Sequence, residues 1–356
     1  MTTRRRLLAG LAASSLMPSL GWSSVGTPDF LSAARRADGQ FVLAGLTRKG
    51  DVTFTIALPA RGHAAAAHPD RAEAVAFARR PGTFAVVLDC RDGTVLARLT
   101  APAERHFYGH GAFSADGKRL YTSENDYEAG LGIIGVWDVE AGYRRIGEFA
   151  SGGVGPHDIK LMPDGRSLVV ANGGIETHPD MGRTKLNLPV MQPSLSYLSL
   201  DGDLLEDVTL PWAQHKNSIR HLALHADGTV AFAMQWQGAL KDSPPLLGLH
   251  QRGTPPRLLS VSQDSDRRLN GYAGSVSLSG DGAQVAITSP RGGILHVFDV
   301  TSGAAVAVHE ATDVCGIGGV GQGFVYTTGG GLVGTLNGAL QRHDLQWDNH
   351  LIAVSA

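Results

Sequence analysis

The chain has very little cysteine: two residues in 356, Cys90 and Cys315. That excludes a disulfide framework, and no Cys-x-x-Cys-His run is present to attach a haem. Cys90 precedes the turn Arg91-Asp92-Gly93 and Cys315 opens a later strand, so the two are expected to be far apart and unpaired. Walker, Rossmann, zincin and nucleophile-elbow signatures are also missing. Beyond the N-terminus no apolar run approaches the roughly 20 residues that a membrane span needs. Helical stretches do not alternate with the strand-like runs, which excludes an α/β layout. A basic excess is lacking too. Without the three arginines near the N-terminus, 28 basic side chains face 33 acidic ones, whereas nonspecific nucleic-acid binding needs a positive footprint.

What is present begins with Arg4-Arg5-Arg6, followed by an apolar stretch from Leu7 to about Leu20 and small residues at Ser19, Gly21, Ser23 and Ser24. This order is that of a secretory signal, and the paired arginines match the twin-arginine type. Residues 1–27 are therefore expected to be an export signal, cleaved between Gly21 and Pro28, with residues 28–356 forming one domain in the periplasm. Once the signal is removed, no membrane association is expected, and a monomer is.

Glycine is abundant, 46 residues, roughly 13% where about 7% is usual. Much of it falls in turns. Ser114-Ala115-Asp116-Gly117, Met162-Pro163-Asp164-Gly165, His225-Ala226-Asp227-Gly228 and Ser279-Gly280-Asp281-Gly282 each precede a β-rich run, and His68-Pro69-Asp70 is a degenerate first member. Asp-Gly between apolar runs is a strong hairpin signal. A second series alternates with it at Asp92-Gly93, 139–142, Asp201-Gly202, Arg252-Gly253 and 301–303. Four strands per unit, recurring at about 45 to 60 residues, specify propeller blades. The fold class is all-β: a seven-bladed β-propeller of four-stranded antiparallel blades, at about 29–59, 61–101, 105–150, 155–211, 217–260, 271–310 and 314–354. The final run, Leu351–Val354, is expected to pair with the N-terminal blade and close the ring.

Antiparallel strands put the Asp-Gly turns on one face of such a ring. The second-to-third loops and the links into each innermost strand lie on the other. The second face holds most of the polar residues of interest. His63, His110, His157, Arg220 with His221, and Cys315 fall near the starts of innermost strands; Glu124, Asn125, Asp126, Asn172, Gln235 and Arg291 end second strands. The long loop from Gly173 to Pro193 adds His178, Arg183 and Lys185. One polar funnel at the channel mouth is the candidate site. Its imidazoles (His63, His110, His157, His178, His221) suit a divalent transition metal, though each reads equally as an inter-blade hydrogen bond. Glu124, Asn125 and Asp126 read as oxygen ligands or as loop caps. Arg183, Lys185 and Arg220 read as a grip on a carboxylate or phosphate.

Gly109-His110-Gly111, Tyr121 to Glu128, Gly155-Pro156-His157-Asp158, Val170 to Ile175, Gly182 to Leu188 and Ser218 to Ala223 together resemble the bacterial domain of unknown function 1513 family, over essentially the whole expected mature chain. The resemblance implies a twin-arginine-exported, propeller-like protein. The family's genes commonly neighbour imelysin-like lipoproteins and a di-haem peroxidase-like protein, which implies partners in periplasmic iron or other metal handling. No established catalytic residues come with it. Two functions stay open: a binding module of a metal-uptake system, and a metal-dependent, lactonase-like hydrolase in which Glu124 and Asp126 act beside His110 or His157.

Overall fold

The computed structural model describes residues 21–79, 83–182 and 184–354. The expected export signal up to residue 20 and Arg183 lie outside the described residues.

The Asp-Gly turns fold for a local reason that repeats around the ring. In the third blade Asp116 Oδ1 accepts hydrogen bonds from Ser114 Oγ (2.7 Å) and the Lys118 amide (3.1 Å). Gly117, at φ +67°, takes the left-handed conformation that closes the turn. The sixth blade uses the same bonds: Asp281 Oδ1 accepts from Ser279 Oγ (2.7 Å) and the Ala283 amide (3.1 Å), and Gly282 is at φ +71°. Each turn joins an innermost strand to a second strand, as Arg105–Phe113 is joined to Arg119–Asp126.

Seven antiparallel sheets result, each strand paired with a sequence neighbour except the two that close the ring. Second strands such as Ser167–Asn172 are buried at every position, because neighbouring blades cover both faces, whereas the outer strand Arg144–Ala150 is largely exposed. The apolar clusters accordingly lie between blades; one joins Val75 and Phe77 of the second to Phe113 and Leu120 of the third. Among the described residues the α-helical content is one short segment, Gln263–Arg268.

Ring closure differs in extent from the sequence expectation. Ile352–Ala353 pairs with Phe30–Arg36 as expected, and Leu345–Trp347 also pairs with that strand. The seventh blade therefore ends at Arg342, and the segment after it supplies the innermost strand of the first blade. The first blade is thus stitched from both ends of the domain. Ser32 Oγ donates to the His350 carbonyl (2.8 Å) across this seam. In the stretch expected to contain the cleavage position, Trp22 is buried, and its Nε1 donates to the His68 carbonyl (2.9 Å). Cys90 and Cys315 are both free and buried, and burial raises each thiol to about 12.

Candidate metal centre

The innermost strands do not run straight past the channel. Their pairing with the second strand slips between Gly62 and Ala65, between Phe107 and Gly111, between Pro156 and Asp158, and between Ile219 and His221. A bulge of this kind re-aims a side chain and is frequent beside functional sites. Three of these slips fall at His63, His110 and His157, and the fourth at Arg220, next to His221. Gly109, at φ +99°, makes one of them possible, since a Cβ there would stand 2.6 Å from the His63 ring. A fifth imidazole, His350, comes from the closing segment between Leu345–Trp347 and Ile352–Ala353.

Together these rings form a layer across the channel. Centroid separations are 5.0 Å for His63–His110, 4.8 Å for His63–His350, 5.0 Å for His110–His350, 4.8 Å for His157–His221 and 4.7 Å for His221–His350. Two overlapping trios, His63–His110–His350 and His110–His157–His221, offer nitrogens within 4.8 Å of one another.

His110 is the anchored member. Its Nδ1 donates to Asp158 Oδ1 (3.1 Å), and its Nε2 meets His63 Nε2, 3.3 Å away. Two nitrogens bound tetrahedrally at about 2.1 Å would stand about 3.4 Å apart. Asp158 is fixed in turn by the Leu222 amide (2.9 Å) and by Lys160 (3.4 Å). Burial opposes its charge, but Lys160 and His110 outweigh burial and hold the carboxyl below its ordinary range. A carboxylate that orients one imidazole nitrogen while the other faces inward is the usual support of a metal ligand.

The other four rings are held neutral. Burial, followed by neighbouring imidazoles and the cations Arg79, Arg220 and Lys160, pushes His63, His157, His221 and His350 well below the ordinary histidine value. Neutral imidazole is the ligating form. On these rings five buried nitrogens have no hydrogen-bond partner among the described residues: His63 Nδ1, His157 Nδ1, both nitrogens of His221, and His350 Nε2. Buried polar atoms are ordinarily paired, so a cluster of orphans on adjoining rings is built to receive something.

The layer divides the channel. Toward the long loops lies a cavity of about 450 Å³, floored by His63, His157 and His221 and walled by Arg79, Lys185, Arg220, Gln235 and Arg291. Toward the Asp-Gly turns lies one of about 800 Å³, bounded by His110, His221, His350 and mostly small or apolar residues of the innermost strands.

Several residues expected in the funnel are elsewhere. Blade faces look at neighbouring blades rather than at the axis, so these second-strand side chains are taken up by their own blade and the adjoining loops. Glu124 is fully buried on Arg145, with Oε1–Nη1 2.7 Å and Oε2–Nη2 3.0 Å, and accepts from Thr122 Oγ1 (2.9 Å). Asn125 contacts His106 Nε2 (3.3 Å) and donates to the Thr177 carbonyl (3.2 Å). Asp126 caps its loop by accepting from the Ala129 amide (3.0 Å) and pairs with Arg105 (3.3 Å). Asn172 is consumed by Ser151, Ser194 and Ser196. His178 lies out on the long loop against Glu128 (3.0 Å) and Tyr127. The acid–base pair that the hydrolase reading needs is thus not beside His110 or His157. Lys185, Arg220 and Gln235 line the upper cavity with His63, His157 and His221. Sequence reasoning missed His350 and Asp158 as members of the site. Asp158 stood in the Gly-Pro-His-Asp run, next to a residue already singled out.

The family model described as "Protein of unknown function (DUF1513)" matches residues 56–354. The chain belongs to this family. The matched span includes His63, His110, His157, His221, Asp158 and His350. No curated protein matches the chain. Among solved structures, the fold is similar to that of Kuenenia stuttgartiensis hydrazine synthase, with a TM-score of 0.60 and 14% identity over 88% of this chain and 95% of that one. At that identity the likeness concerns the propeller alone.

Proposed function

We propose that this DUF1513 protein is an exported propeller that binds one divalent first-row transition metal ion in the imidazole layer across its channel. The observation that carries the reading is that two trios of imidazoles with nitrogens within 4.8 Å of one another meet at His110, whose own outer nitrogen is oriented by Asp158. All-imidazole donors favour zinc, copper, iron or nickel over calcium or magnesium, which prefer oxygen. The chemistry is binding. Glu124 and Asp126 are engaged in loop and strand structure, Asp158 is engaged by His110, and both thiols are buried. In the periplasm, reached through the arginine-paired signal, such a protein serves as an accessory of iron or other metal acquisition. Imelysin-like and di-haem peroxidase-like proteins are then its partners, as the family's gene neighbourhoods suggest.

The test is equilibrium dialysis of untagged protein against Co(II), whose visible absorption reports coordination. One ion per chain at pH 7.5, lost in the His110→Ala/His221→Ala double variant with the metal-free melting temperature little changed, is expected. Absence of Co(II), Ni(II), Cu(II) and Zn(II) from the wild-type protein would refute the reading.

A further inference from the structure

The upper cavity poses an electrostatic problem for a bare cation. A divalent ion on the imidazole floor would lie among Arg79, Arg220, Lys185 and Arg291, and among the described residues no aspartate or glutamate lines that cavity. Arg79 is already neutralised by Asp348 (2.6 Å). Lys185 and Arg291 have no carboxylate partner among the described residues. Arg291 lies 4.3 Å over the ring of Tyr272, and Lys185 donates to Gln237. Burial, then Arg220 and Arg291, pulls the Lys185 ammonium below its ordinary value. Like charges held around a concave, half-enclosed volume concentrate an anion there, and guanidinium is suited to bidentate carboxylate recognition.

We propose that this cavity binds a small di- or tricarboxylate, which places one carboxylate toward the imidazole layer and another on the Lys185–Arg291 rim. The inference rests on the metal reading in one respect. With an ion in the layer, the inner carboxylate completes its coordination, so the metal is held together with an anionic chelator rather than bare. The volume of about 450 Å³ exceeds what inorganic phosphate fills, and an anion that reaches both floor and rim needs two charged ends.

Citrate is the probe, with inorganic phosphate and sulfate as controls. Calorimetric titration of citrate into the metal-free and Co(II)-loaded protein at pH 7.5 is expected to show binding to both. The loaded form should bind at least about tenfold tighter and change its visible spectrum. Lys185→Gln/Arg291→Gln should weaken citrate by about tenfold or more while leaving the Co(II) stoichiometry and the melting temperature unaltered. Arginine-dependent citrate binding by a protein that never takes up Co(II) would uphold the carboxylate cavity and remove the metal centre. Co(II) uptake with no citrate binding would do the reverse. Citrate that merely strips Co(II), phosphate that binds as tightly as citrate, or a rim variant that binds like wild type would each overturn the proposal.

Discussion

The carboxylate of Glu124 and the imidazole of His110 lie on adjacent strands of one blade, both buried, and the protein uses them in different ways. Around Glu124 every oxygen is spoken for: Arg145 takes both, Thr122 shares one, and Thr122 in turn accepts from Trp137 Nε1 (2.9 Å). Around His110 Asp158 takes Nδ1 and His63 Nε2 meets Nε2 (3.3 Å), but the neighbouring rings carry orphaned nitrogens. A fully satisfied polar network rigidifies a fold, whereas a convergent set with unspent lone pairs has kept its capacity for a ligand. Polarity and burial do not distinguish the two cases; the hydrogen-bond inventory does.

Substitutions on the two sides should separate cleanly. The largest effect is expected on metal affinity. Asp158→Asn should lower it by about 10- to 100-fold, and His110→Ala/His221→Ala by more, measured by competition with a chromophoric chelator. Glu124→Ala should destabilise the protein by about 3 kcal/mol, because Arg145 is left half-buried without its main partner, yet change metal affinity less than about twofold. A Glu124 variant that loses metal at unchanged stability would erase the distinction.

Acid gives a graded effect. Burial lowers His68 and His296 to about 4, and His63, His157, His221 and His350 are also depressed. Below about pH 6.5 the unfolded chain therefore binds protons that the native state refuses, so stability falls as pH falls through that window. The metal-free melting temperature should decline from about pH 6.5 downward, whereas bound metal should persist below pH 6.5, because protons compete for these nitrogens only in their depressed range. The smallest effect belongs to His178→Ala, which should leave metal affinity within about twofold, since His178 rests on Glu128.

Much of the architecture was readable in the chain because the third to sixth blades each begin with an Asp-Gly turn, and that chemistry recurs at a fixed place in the repeat. The same frame placed His63, His110, His157 and His221 near the axis, because innermost strands alone border the channel. It failed for Glu124, Asn125 and Asn172, because the end of a second strand is near the mouth along the chain but faces sideways into its blade. His350 was missed because it follows the seventh blade in a segment with no turn signature. Once Ile352–Ala353 is seen as part of the first blade's innermost strand, His350 takes the position that His63 holds in the next blade. The bulges that aim the imidazoles leave no mark in residue type beyond Gly109 and its neighbour Gly111, and only the pairing register reveals them.

The central claim is that the imidazole layer is a metal centre, and X-ray absorption of untagged protein loaded with one equivalent of Zn(II) at pH 7.5 tests it most directly. The account predicts one zinc per chain with a first shell dominated by imidazole nitrogen at about 2.0–2.1 Å, lost in His110→Ala/His221→Ala. Zinc that never rises above trace, or an oxygen-only shell that survives the double substitution, would contradict it.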